Sequence, residues 1–153
     1  GCHPMYLTRL FLGLPESVSA HYGYVLDKEV EDNAVTILNY PNGAKGVVEA
    51  GFVNAHSPFT VEIHGTEGSL LYGTPEAKLL IRSNKSPAYA EGWVEVPELP
   101  EQLMSAFEQW VQHIQNDTTA DENISLAMDL TRLMEASNRS NDLKRPIRID
   151  ELE

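Results

Sequence analysis

The chain of 153 residues is poor in cysteine, in basic residues and in long apolar runs. Its one cysteine, Cys2, cannot close an internal disulfide, which fits a reducing compartment, and a cytoplasmic protein is expected. Only 11 lysines and arginines stand against 23 aspartates and glutamates, a formal charge of −12. Such a field repels phosphate backbones and anionic headgroups, so neither nucleic acid nor membrane is expected as a partner. The one basic cluster, Lys144-Arg145-Pro146-Ile147-Arg148, is too short to reverse that balance. No apolar run approaches the ~18 residues that a bilayer-spanning helix needs.

Signatures of common chemistries are missing as well. The glycines that could form a phosphate loop (Gly43, Gly46, Gly51; Gly65, Gly68, Gly73) lie in hairpin context rather than between a strand and a helix N-terminus. There is no Gly-x-Ser-x-Gly. The histidines, His3, His21, His56, His64 and His113, show no short ligand spacing, so no metal is expected. His113 falls on an amphipathic run and His64 just before a turn, and both read as structural. Glu49 and Glu62 read as solvent-facing strand carboxylates. The stretch Asp27 to Asp32 reads as a solvated acidic loop.

What is present has a clear order. Met5 to Leu12 reads as a short helix, with Pro4 in the first turn and Gly13 and Pro15 beyond its end. Strand patterns follow over Val18–Val25, Asn33–Tyr40, Ala44–Val53, Phe59–His64, Ser69–Tyr72, Ala77–Arg82 and Trp93–Val96. Pro41-Asn42-Gly43 makes a hairpin turn, because proline fixes φ and Asn-Gly tolerates positive φ. Helical spacing returns over Glu101–Gln115 and Ser125–Asn138, and Arg145–Ile149 reads as an edge strand. Leu152-Glu153 reads as an appended cloning tail, so residues 151–153 are set apart.

These elements predict an α+β domain: an open, mainly antiparallel sheet of six or seven strands with helices on one face. Two helices and a short third cannot cover both faces. Val35, Ile37, Val47, Val48, Phe52, Val61 and Ile63 leave apolar side chains for an open face, which predicts association.

The order of GCHPMYLTRLFLG, DNAVTILNYPNGAKGVVEAGF, SPFTVEIHGTEGSLLYG, FEQWVQHI and LAMDLTRLMEASNRS resembles the C-terminal domain of the glucose–fructose oxidoreductase / inositol dehydrogenase / rhizopine catabolism (Gfo/Idh/MocA) family, from Gly1 to about Ile149. The resemblance implies a dihydrodipicolinate-reductase-like fold. It implies that residues 1–150 are the substrate-binding and oligomerisation domain of a two-domain NAD(P)-dependent dehydrogenase. The N-terminal Rossmann domain, absent from this chain, would hold most of the NAD or NADP. The substrate would be a sugar, polyol or related cyclic alcohol, and the assembly a homodimer or homotetramer built through the open sheet face.

The family's Asp-x-Gly-x-His motif matches at Gly1 and His3, with the aspartate falling before Gly1. His3 is thus the implied acid/base, and His3 and Tyr6 the implied substrate contacts. Many relatives carry aspartate where this chain has Tyr6. The chain alone is expected to be inactive. A non-catalytic, sheet-mediated interaction domain on the same scaffold is the alternative.

Overall fold

The computed structural model describes residues 1–73 and 76–152. Helix α1 (Cys2–Leu12) is followed by β1 (Ser17–Gly23), β2 (Asn33–Asn39), β3 (Lys45–Gly51), β4 (Val61–Gly65), β5 (Gly68–Tyr72), β6 (Leu79–Ser83), the one-turn α2 (Pro87–Ala90) and β7 (Val94–Glu95). Helices α3 (Ala106–Gln115) and α4 (Asp121–Leu143), then β8 (Ile147–Arg148) and a 3-10 turn (Ile149–Leu152), complete it. The α+β class, the antiparallel pairing and the seven strands between Ser17 and Val96 are as the sequence predicts.

The expected single sheet is corrected. The strands form two four-stranded sheets, ordered β3-β2-β1-β8 and β4-β5-β6-β7. No tight turn links β3 to β4; residues 52–60 run between them outside any strand. The chain divides accordingly into two compact units, residues 1–55 with 106–152, and His56–Ser105.

In the first unit, strand alternation sorts the sheet into two faces. Val18, Leu38 and Gly46 form one cross-strand row and Ala20, Thr36 and Val48 the next, all buried. Of these, Val18, Leu38 and Val48 pack with Met5, Tyr40, Leu133, Ala136 and Ile147 into the core. Helix α4 covers β1, and α1 lies on α4 and β3. The opposite face carries the rows Ser19–Ile37–Val47 and His21–Val35–Glu49, with Val35, Ile37 and Val47 exposed.

Beyond its two-residue pairing with β8, the outer edge of β1 is closed by α4 side chains. Ala20 N–H donates to Ser140 Oγ at 2.9 Å and Tyr22 N–H to Asn141 Oδ1 at 3.1 Å. Ser140 in turn donates to the Arg145 carbonyl at 2.8 Å. A sheet edge that would otherwise expose donors is thereby satisfied from a helix.

The Pro41-Asn42-Gly43 turn forms as expected. Gly43 takes φ 86 and donates to the Tyr40 carbonyl at 3.0 Å, so β2 and β3 keep the register Asn39↔Lys45. In the second unit β4 and β5 meet at Gly65↔Gly68. A Cβ on Gly68 would stand 2.6 Å from the Arg82 carbonyl oxygen, which explains the second glycine of Gly-Thr-Glu-Gly by close approach. His64 lies on β4, its Nδ1 3.0 Å from Ser69 Oγ on the neighbouring strand.

Several boundaries move. Helix α3 begins at Ala106, later than Glu101, because Pro97 and Pro100 keep the approach extended. Helix α4 is longer than Ser125–Asn138 at both ends. Within the expected tail, Glu151 accepts from Arg145 and from Arg148 N–H, which hold its pKa down at about 2, and Leu152 packs on the core. Glu153 lies outside the described residues.

The acidic loop is not solvated throughout. Asp32 is buried and accepts from Leu26 N–H at 2.6 Å, Val25 N–H at 3.0 Å and Asn33 Nδ2 at 3.1 Å, folding the β1–β2 connection onto itself. The Leu26 bond, foremost, holds its pKa below the usual carboxylate range, against the opposing effect of burial. The resulting stabilisation is complete above the unfolded value of ~3.9. It is lost as pH falls through the folded value. Asp32→Asn should therefore melt below wild type at neutral pH, with the gap closing as a thermal series descends from pH 5 to pH 2. An equal gap at every pH would remove the carboxylate's charge from this account.

Candidate active site

Helix α1 carries the residues singled out from the sequence. It starts at Cys2 rather than Met5. Pro4 is accommodated in the first turn, where its missing N–H has no intrahelical acceptor. His3 is exposed, and its Nδ1 lies 3.7 Å from Cys2 Sγ. Nε2 has no protein partner among the described residues. Tyr6 is half-buried and stands three positions on, the spacing of neighbours on one helix face. No hydrogen bond joins the two among the described residues.

The helix is placed by its other side. Met5 is buried in the core, and Thr8 Oγ1 donates back to the Met5 carbonyl at 2.7 Å. A Cβ on Gly1 would lie 3.7 Å from the Ala50 side chain, and one on Gly46 would lie 3.3 Å from Thr8. Helix α1 thus runs antiparallel along β3, with His3 near the strand's C-terminal end. The small residue at position 46 lets helix and sheet approach closely.

The clamp on α1 is an ion pair that sequence reading missed. Arg9 Nε and Nη2 both reach Asp129 Oδ2 at 2.7 Å, with the Asp129 side chain only 9% exposed. Arg132 Nη1 approaches the other carboxylate oxygen at 3.6 Å. A signal was available: Asp129 falls inside the apolar stripe Leu126, Leu130, Leu133, where a charge is tolerated only when paired. Tyr40, also in this core, has a hydroxyl with no partner among the described residues. Burial raises its pKa, and the nearby Arg9 charge opposes that rise.

Other candidates stay apart. His21 lies on the open sheet face, and His113 Nδ1 is 2.9 Å from Thr118 Oγ1 at the end of α3. Among the described residues no group of three or more His, Cys, Asp or Glu side chains could hold a metal. None of their helices is long and apolar enough to cross a membrane.

The α+β fold has counterparts among solved structures. An oxidoreductase from Agrobacterium radiobacter, solved with NAD+, L-tartaric acid and magnesium, matches 100% of this chain over 48% of its own, at 19% identity and TM-score 0.78. Levoglucosan dehydrogenase, solved with NADH and levoglucosan, matches 97% of this chain over 48% of its own, at 19% identity and TM-score 0.77. An NAD-binding protein from Listeria innocua matches 97% over 45% of its own, at 23% identity and TM-score 0.71. The chain spans about half the length of these structures. No curated protein matches it in sequence. Residues 1–71 match the family profile of the GFO/IDH/MocA C-terminal domain. Those residues, just under half of the chain, are thus similar to that family's C-terminal domain.

Removing Asp129 leaves a largely enclosed guanidinium unpaired. Asp129→Ala should cost about 2–3 kcal/mol in urea unfolding. Tyr40→Phe discards only an unpartnered hydroxyl and should fall within about 1 kcal/mol of wild type, on either side. If both variants lost the same stability, the Tyr40 hydroxyl would have a partner after all.

Proposed function

We propose that this chain is the substrate-binding and oligomerisation domain of an NAD(P)-dependent oxidoreductase. Its substrate is a sugar, polyol or related cyclic alcohol. The observation that carries this reading is the placement of His3 on the exposed first turn of α1, inside the matched segment. Solved relatives bound to levoglucosan and to tartaric acid support a polyhydroxylated substrate.

Oxidising a carbinol removes the hydroxyl proton while the carbon gives up a hydride, for which nicotinamide is the implied acceptor. The described residues do not fit that cofactor. Among the described residues every strand pairing is antiparallel, so no parallel crossover with a glycine-rich turn seats a dinucleotide there. NAD or NADP would accordingly be held mainly by the other half of the protein. This chain's share is the proton.

The Nε2 atom of His3, free of protein partners among the described residues, is the atom that takes the hydroxyl proton, and in the reverse direction it returns it. Tyr6, on the same helix face, contacts the substrate's other hydroxyls. Alone, the chain has binding surface without an oxidant and turns nothing over. The unpaired Cys2 supports a cytoplasmic setting. Val35, Ile37 and Val47 on the open face support a homodimer or homotetramer.

In the two-domain protein, His3→Ala should lower kcat by roughly 10²–10⁴. Wild-type turnover in that variant would end the assignment. Sedimentation of the chain should show a dimer that Val47→Lys dissociates; a monomer at high concentration would count against sheet-face pairing.

A further inference from the structure

Helix α3 is amphipathic, yet none of its residues is buried. Phe107, Trp110 and Ile114 are 68%, 60% and 61% exposed. Their 3 and 4 spacing places them in one stripe. The rings of Phe107 and Trp110 lie 5.8 Å apart, which holds the stripe's aromatic end in shape. Where the chain turns into α4, Trp110 and Ile114 meet Ile124 across a groove of about 680 Å³. Met128 continues the apolar line one turn along α4 and is also exposed. These five side chains expose roughly 500–600 Å² of apolar surface, at the top of the range for a monomer's largest patch.

Charge selects the occupant. Between Ala106 and Thr131 the sequence has no lysine or arginine, and Asp117, Asp121 and Glu122 lie in the same stretch. Asp117, Asp121 and Glu122 are exposed around the elbow between the helices. A second copy would bring carboxylates against carboxylates, over less than the ~800 Å² per partner of a standard interface. One helix with an apolar stripe and lysine or arginine flanks matches both the groove's size and its sign.

We propose that the α3–α4 groove is a docking surface for a basic amphipathic helix of a partner protein. The helix's apolar stripe seats on Trp110, Ile114 and Ile124, and its cations face Asp117, Asp121 and Glu122. This is the helix-in-groove mode of recognition, with electrostatics setting orientation and encounter.

The test uses the full chain carrying Trp93→Phe, so that Trp110 is the sole tryptophan. The probe is a synthetic 18-residue leucine–lysine peptide with leucines at helical i, i+3, i+4 spacing. Trp110 emission should shift to the blue on titration, and Kd should rise roughly tenfold between low and 0.3 M salt. A shuffled peptide of the same composition without the stripe should bind at least about tenfold more weakly. Ile114→Glu, an exposed substitution checked by circular dichroism, should abolish the shift. The pair Asp121→Lys with Glu122→Lys should weaken binding while leaving the apolar surface intact. Equal binding of the shuffled peptide would overturn the proposal, as would no Trp110 shift. Self-association that Ile114→Glu dissolves would assign the groove to a second copy and overturn it equally.

Discussion

Helix α4 performs two tasks that a four-stranded sheet cannot perform for itself. It covers one face, through Leu133 and Ala136, and it closes the edge of β1, through Ser140 and Asn141. Strand β8 pairs with β1 only at Ser17 and Val18, so the N–H groups of Ala20 and Tyr22 would otherwise be open donors at the border of the core. Burying them without acceptors would cost more than the bonds contribute when made. The polar residues near the end of α4 are therefore structural. The helix must end where they meet β1, and this fixes its register on the sheet.

That register determines where the candidate site lies. With α4 fixed, Asp129 stands at one height along it and Arg9 must come to it, which sets α1 along β3 and carries His3 to the end of that strand. The pair is not the source of much stability, since desolvating both charges offsets most of the attraction. Its consequence is positional. An apolar contact tolerates small shifts along the helix at modest cost, whereas a guanidinium held at 2.7 Å by a carboxylate does not. The proton-transfer role proposed for His3 would need that kind of fixing, because small displacements of a catalytic atom are costly in rate.

What was legible in the sequence follows the range of the interactions involved. The Pro-Asn-Gly turn is local chemistry and reads directly. The α1 helix and the strand count come from periodicity, which needs only a window of residues. The division into two sheets did not read, because alternation reports which face a residue takes and says nothing of which strands pair. The burial of Asp32 was hidden for a related reason: four of the six residues from Asp27 to Asp32 are acidic and look alike, and only the backbone path shows that the last of them turns inward to Val25 and Leu26. Arg9 and Asp129 are 120 residues apart, and half of that contact was visible as a charge inside an apolar stripe. The role proposed for His3 came from likeness to a family rather than from its surroundings, which hold no orienting carboxylate among the described residues.

The unit formed by His56–Ser105 sharpens the meaning of the exposed apolar surface. Its strands place Val61, Tyr72 and Leu79 in one row and Ile63, Leu70, Ile81 and Val94 in the next, yet among its described residues no apolar side chain is buried. A domain of about fifty residues is marginal even with a full core. The first unit concentrates its core between α1, α4 and one face of its sheet, and leaves its other face and the α3–α4 groove unspent. The flat face, with β-branched Val35, Ile37 and Val47 in cross-strand rows, suits another sheet, whereas the groove, with spaced aromatic and aliphatic side chains, suits a helix. Geometry and charge thus separate two apolar surfaces that composition alone would count as one.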